Sequence, residues 1–238
     1  MGVRGKMIAG AALLVAVIAA GTAGMVSCRD KIISVMNDIT DVMHREEQET
    51  DIMNKPKIAL TFDDGPHPYY TEQLLEGLKE RDVKVTFFIT GENAEAYPEI
   101  VQEMHEDGHL IGNHTYHHTQ LNAGNAEAFK QEIVKTNEVI RKLTGEDTIY
   151  VRPPYGSWNK EFEKELNMFP VLWTIDPLDW CSSDASCIVR TVCAKVGEND
   201  IILMHDQYKT SVTAALAVVD ELTAQGYEFV TVEELLFD

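Results

Sequence analysis

From Pro56 onward the chain alternates short β-like runs with helical patterns, and this alternation limits its fold more than any other feature. The β-like runs are 57–62 (KIALTF), 84–89 (KVTFFI), 109–113 (HLIGN), 148–152 (TIYVR), 171–175 (VLWTI), 200–205 (DIILMH) and 227–232 (YEFVTV). Helical periodicity falls between them, over 72–80, 98–107, 126–143, 159–167, 186–196 and 212–225. Parallel neighbours need a long crossover, which a helix supplies, so the alternation predicts an α/β fold with helices outside a parallel sheet. Seven strands suit a barrel, complete or incomplete, better than a short open sheet.

The unusual polar residues cluster at the ends of these runs. Thr61-Phe62-Asp63-Asp64-Gly65-Pro66 closes the first run and Asn113-His114-Thr115-Tyr116-His117-His118 the third. Arg152-Pro153-Pro154-Tyr155-Gly156 closes the fourth, Asp176-Pro177-Leu178-Asp179-Trp180 the fifth, and Leu203-Met204-His205-Asp206 the sixth. In a parallel barrel all such ends meet at one face, where active sites of this architecture sit.

His114 and His118 are four apart, so a helical turn would project both imidazoles to one side, with His117 facing elsewhere as a bystander. A carboxylate from Asp63-Asp64 would complete a set of two histidines and one acid, leaving a position for water, as catalytic rather than structural zinc sites do. Successive strand side chains alternate, so one aspartate binds the metal while the other faces substrate. The plainer alternative is an Asp-Asp-Gly-Pro turn chosen for its backbone preferences. His205 is a candidate proton donor, since imidazole titrates near neutrality, and Asp179 could hold it protonated. Arg152 can pair with a carboxylate such as Asp63.

The remaining features set the context. An uncharged run, Met7 to Ser27, follows Arg4 and Lys6 and is expected to be an export signal; at about 1.5 Å per residue it can just cross a hydrocarbon core of about 30 Å. It reads as a membrane anchor with the rest of the chain outside, the alternatives being a cleaved signal peptide or lipidation at Cys28. Residues 28–55 form a polar stalk in which Ile32, Met36, Ile39 and Met43 have helical spacing. Residues 56–238 are one catalytic domain. With 20 Lys+Arg against 39 Asp+Glu the chain carries a formal charge of −19, which argues against a nucleic-acid partner. Cys28, Cys181, Cys187 and Cys193 contain no CxxC and are expected to be buried or half-buried free thiols.

The five clusters resemble, in order and spacing, the motifs of the NodB-like polysaccharide deacetylases of carbohydrate esterase family 4: TFDDGP at 61–66, HTYHH at 114–118, RPPYG at 152–156, DPLDW at 176–180 and LMH at 203–205. The resemblance implies a distorted (β/α)7-type barrel, with Asp64, His114 and His118 as metal ligands and Asp63 as catalytic base, oriented by Arg152. His205, supported by Asp179, would be the acid, the Tyr155 N–H would serve the oxyanion, and Trp180 and Leu203 would line the acetyl pocket. The implied cofactor is one divalent ion, zinc by the ligand set with cobalt as an alternative. The implied substrate is an N-acetylated polysaccharide, and a wall-facing enzyme meets peptidoglycan first. An O-acetyl esterase acting on acetylated xylan and a catalytically silent glycan-binding module are the competing readings.

Overall fold

The computed structural model describes residues 33–42 and 55–237, and the chain divides into two units between Asn54 and Lys55. Residues 33–42 form a helix whose residues are all exposed, Met36 and Ile39 of the expected apolar stripe included. The run 7–27, Cys28 and the rest of the stalk lie outside the described residues. No helix among the described residues is long and apolar enough to cross a membrane.

The second unit is a parallel sheet of seven strands, β1 (Lys57–Asp63), β2 (Thr86–Ile89), β3 (Leu110–Asn113), β4 (Tyr150–Val151), β5 (Phe169–Pro170), β6 (Ile201–His205) and β7 (Glu228–Phe229). Its helices are α1 (Tyr70–Glu80), α2 (Gly91–Ala96), α3 (Pro98–Glu106), α4 (Ala126–Thr144), α5 (Glu161–Glu165), α6 (Ala185–Cys193), α7 (Lys209–Ala224) and α8 (Val232–Phe237). The strand order is β5-β4-β3-β2-β1-β6, and β7 takes the first two residues of β1.

Strand alternation sorts the side chains of β1 into two populations. Ile58, Leu60 and Phe62 face the helices and join the main core with Leu74, Leu75 and Leu78 of α1 and Val218 and Leu222 of α7. Ala59, Thr61 and Asp63 face the other way, into the barrel. Register extends this into layers: Ala59 lies beside Ile201, Thr61 beside Leu203 and Thr86, and Asp63 beside His205 and Phe88. The interior is therefore apolar at the amino ends of the strands and ionisable at their carboxyl ends. The helix-facing residues are near-continuous apolar burial, about 1.5–3 kcal/mol for each large side chain.

Three expectations need correction. The fifth run, 171–175, is not a regular strand. The chain pairs with β4 at Phe169–Pro170, donates from Val171 N to Val151 O, and then crosses to β6, where Ile175 bridges Ile202 and the Thr174 and Ile175 N–H groups reach Ile201 O. It must change partners to close the ring between two separated strands, so no long ladder can form. This distorts the barrel and leaves it a (β/α)7-like fold. The last run, 227–232, is a strand only at Glu228–Phe229. Helix α8 then starts at Val232, whose N–H donates to Thr86 Oγ1 (3.0 Å) inside the barrel, and Val232 and Leu235 fill the amino end. Finally, of the three described cysteines Cys181 and Cys187 are exposed and Cys193 is half-buried, each a free thiol. Helix α6 buries Ile188 and Val192, which turns Cys187 outward. Helix α2 was not visible in the periodicity, being six residues long.

Candidate active site

The site grows from the inner layer of the barrel. Arg152 is the largest fully buried side chain and extends the inward set of β4, following Tyr150 by two residues. Its guanidinium lies 4.2 Å over the Phe88 ring, which has room because a Cβ at Gly112 would collide with that ring. Arg152 Nη1 donates to Asp63 Oδ1 (2.7 Å) and Thr61 Oγ1 (2.6 Å), and Nε donates to Val171 O (3.1 Å). Thr61 Oγ1 in turn donates to Ile202 O. Burial weakens the proton affinity of Arg152, and the adjacent Asp63 carboxylate restrains that loss. One oxygen of Asp63 is thus fixed, and Oδ2 is left facing the site.

Asp64 follows with a left-handed φ of 74°, which turns its carboxylate away from Asp63 and toward the histidine loop. Asp64 Oδ1 stands 3.3 Å from His114 Nε2 and 3.4 Å from His118 Nε2. The three ligand atoms all lie within 4.8 Å of one another. His114 extends the inward-facing set of β3, and its Nδ1 bonds to Arg152 O at 2.6 Å. That partner is a carbonyl, so Nδ1 carries the hydrogen and Nε2 is the ligating nitrogen. The residues from 114 to 118 are not a helical turn. Thr115 and His118 both have positive φ, and the loop folds back so that the two rings come within 4.9 Å. The expected pairing is present, through strain rather than helical spacing. His117 points outward to Glu132, as a bystander should.

The electrostatics match a cation site. Asp64 Oδ1 is buried without a hydrogen-bond partner among the described residues, although two imidazoles face it. A buried carboxylate oxygen without a partner, facing the ring nitrogens of two imidazoles, is what a bound cation would resolve, so the donor set fits a divalent metal. Burial would raise the Asp64 carboxyl, but His114, His118 and His205 outweigh it and hold it at about 2. Burial lowers His118.

His205 occupies the opposite wall. Asp179 is buried and accepts twice from it, Oδ2 from the backbone N–H and Oδ1 from Nδ1, both at 2.9 Å. Nε2 remains for a substrate. Burial opposes protonation, but Asp179, then Asp63 and Asp64, raise His205 to about 9. Tyr155 sits at φ 59° with its ring 4.9 Å from His118. Trp180 is exposed at the rim, whereas Leu203 is buried one layer beneath His205.

Two further contributors carry no role in the sequence pattern: Asp206, which belongs to the cluster closing the sixth run, and Glu132, which lies outside all five. Asp206 is fully buried, accepts from Thr71 Oγ1 (2.6 Å) and is raised by burial to about 7. A Cβ at Gly65 would collide with its carboxylate. Glu132 accepts from the backbone N–H groups of Tyr116 and His117, holding the histidine loop. Asp206 adjoins His205 and was open to suspicion for that reason; Glu132 gives no local signal.

Comparison with known proteins points to one family. The polysaccharide deacetylase family profile matches residues 50–171. The chain is 38% identical over 195 residues to the peptidoglycan-N-acetylmuramic acid deacetylase PdaC of Bacillus subtilis, covering 82% of this chain and 42% of that one. It is 37% identical over 189 residues to a peptidoglycan-N-acetylglucosamine deacetylase of Bacillus cereus, covering 76% and 69%. It thus spans about two-fifths of PdaC and over two-thirds of the second relative. The solved structure of PdaC superposes with a TM-score of 0.74 at 40% identity, over 76% of this chain and 90% of that one. A pseudoenzyme of the same esterase family from Bacillus anthracis also superposes, with a TM-score of 0.72 at 27% identity, over 77% and 66%. On the profile match, the identity to these relatives and the shared fold, the chain belongs to the polysaccharide deacetylase family, the NodB-like members of carbohydrate esterase family 4.

Proposed function

We propose that this protein hydrolyses N-acetyl groups of aminosugars in peptidoglycan, releasing acetate and leaving a free amine. The observation that carries the reading is the pairing of adjacent aspartates with opposite environments: Asp63 pinned by Arg152, and Asp64 unpartnered between two imidazoles. The names of the relatives support peptidoglycan as the polymer.

Asp64, His114 and His118 would hold one divalent ion, zinc by donor type with cobalt as a second fit. When bound, such an ion supplies a Lewis acid for the acetamide carbonyl and for an attacking water. Asp63 takes the proton of that water at Oδ2, since Oδ1 is engaged by Arg152. The Tyr155 N–H donates to the carbonyl oxygen as charge develops there. His205, protonated below about 9, delivers its Nε2 proton to the departing amine, and Asp179 holds the ring for that transfer. Trp180 and Leu203 offer apolar surface to the acetyl methyl group.

The uncharged run 7–27 and the polar stretch 28–55 support a membrane tether and stalk that present the domain 56–238 to the wall from outside. Membrane fractionation of full-length protein and of a chain lacking residues 1–27 tests this part.

The central test is acetate release from peptidoglycan, chitin oligomers and acetylxylan, each with and without a chelator. Chelator-sensitive release from peptidoglycan is the expected result. Release from acetylxylan alone would replace the reading with an O-acetyl esterase, and glycan binding without turnover would replace it with a silent module.

A further inference from the structure

The metal ligands sit on two loops with unfavourable backbone conformations, at Asp64, Thr115 and His118. Thr115 above all, a β-branched residue, holds positive φ only when its surroundings impose it. The start of α2 supplies much of that imposition. Thr90 N donates to Gly65 O (3.1 Å), Gly91 N to Thr115 O (3.0 Å) and Glu92 N to Tyr116 O (3.1 Å). Asn93 Nδ2 donates to Asp64 O (2.8 Å), and Gln207 Nε2 donates to the same oxygen (3.0 Å) from beyond β6. Consecutive donors from 90 to 93 therefore reach carbonyls on both ligand-bearing loops. Gly91 permits this approach, because a Cβ there would collide with the Tyr116 ring and Thr136 Oγ1.

We infer that Asn93 and Gln207 are positioning residues that clamp the Asp64 carbonyl, fixing the carboxylate of Asp64 at the spacing set by His114 and His118. The inference rests on the proposed metal site. Neither amide ligates the ion; each acts on the backbone of a ligand. Losing such an outer partner typically lowers metal affinity about 10–100-fold.

The test measures zinc affinity of the full chain by chelator competition, beside the melting temperature of the metal-free protein. Gln207→Met keeps the length of the side chain and removes the donor; among the described residues the side chain hydrogen-bonds only to Asp64 O, so the variant should fold. Asn93→Leu removes the second donor. Each is expected to weaken zinc binding about 10-fold and the pair about 100-fold, with the metal-free melting temperature of Gln207→Met unchanged. If Gln207→Met binds zinc as the parent does, and the pair, where it folds, does too, the clamp is refuted. If Asn93→Leu does not fold, the Gln207→Met affinity alone decides. A His114→Ala control separates the two levels: a parent chain whose zinc binding survives that change has no metal site there, and the proposed function fails instead.

Discussion

The two ends of this barrel solve the same backbone problem with different residues. At the amino ends of the strands, the turns leading into β2, β3, β4, β5, β6 and β7 place Asp82, Gly108, Gly145, Asn167, Asn199 and Gly226 at positive φ. These are the residue types that adopt that region at least cost. At the carboxyl ends the positive-φ residues are Asp64, Thr115, His118, Tyr155, Gly156 and Leu178. Thr, Tyr and Leu gain nothing from the conformation itself, although Asp64, His118 and Gly156 beside them tolerate it better. One end was selected to turn the chain; the other keeps strained residues whose side chains or neighbours belong to the site.

The largest effects should come from the inner layer of the functional end. Asp63→Asn should lower the rate of acetate release by about 10²–10⁴-fold, the range of general-base catalysis, while zinc affinity by competition stays near that of the parent. Full activity in that variant would remove the base from Asp63. Arg152→Met should instead lower unfolding free energy by about 3–5 kcal/mol in denaturant titration, because it leaves the buried Asp63 charge unpaired. Equal stability would show that Arg152 orients Asp63 without anchoring the barrel.

Two histidines sharpen the comparison through pH. His205, at the functional end, is raised to about 9 chiefly because Asp179 outweighs burial. Its proton is present below that pH and lost above, so kcat/KM should fall on an alkaline limb near 9. In Asp179→Asn the limb should move down toward the ordinary imidazole range of about 6.5. A limb that stays in place would separate Asp179 from His205. His109, at the amino end of β3, is buried without a carboxylate partner and falls to about 4, burial being the main cause. Its Nδ1 accepts from Val85 N–H (3.2 Å), so it is neutral and structural. Its folded value lies below the unfolded one, so its contribution to stability is present above pH 6.5 and lost as pH falls toward 4. Replacing it with Gln should flatten that acid limb of the stability curve and leave kcat unchanged.

The functional end was the more legible of the two in the sequence. Asp63, Asp64, His114, His118, Arg152, Asp179 and His205 all stand at run ends, and the fold brings them together as the alternation of strand and helix required. The path between them was less legible. The four-residue spacing of His114 and His118 suggested a helical turn, whereas Thr115 and His118 take positive φ under constraints from α2 and Glu132, which lie far along the chain. The segment 171–175 has strand composition, but it must leave β4 for β6, a demand set by closure rather than by its own residues. The run 227–232 likewise breaks into strand and helix because α8 has to fill the amino end of the barrel. Local pattern located the chemistry; long-range contacts decided the backbone that carries it.

The smallest predicted effect tests the contrast itself. Gly145 ends α4 at φ 80°, its N–H donating to Arg141 O (2.9 Å), and among the described residues nothing beyond its chain neighbours and its own helix backbone lies within 4 Å of where a Cβ would stand. Gly145→Ala meets no steric obstacle, so its cost should be the left-handed backbone alone, about 1–2 kcal/mol, with kcat unchanged. Leu178 is its counterpart, exposed at φ 56° next to Asp179. Leu178→Gly should relieve a similar conformational penalty, but it also frees the unfolded chain, so net stability should change by under about 1 kcal/mol. Its effect should appear in kcat/KM, because Asp179 is held less firmly against His205. Should Gly145→Ala slow acetate release, or Leu178→Gly destabilise the fold without touching catalysis, the division of the barrel into a folding end and a working end would not hold.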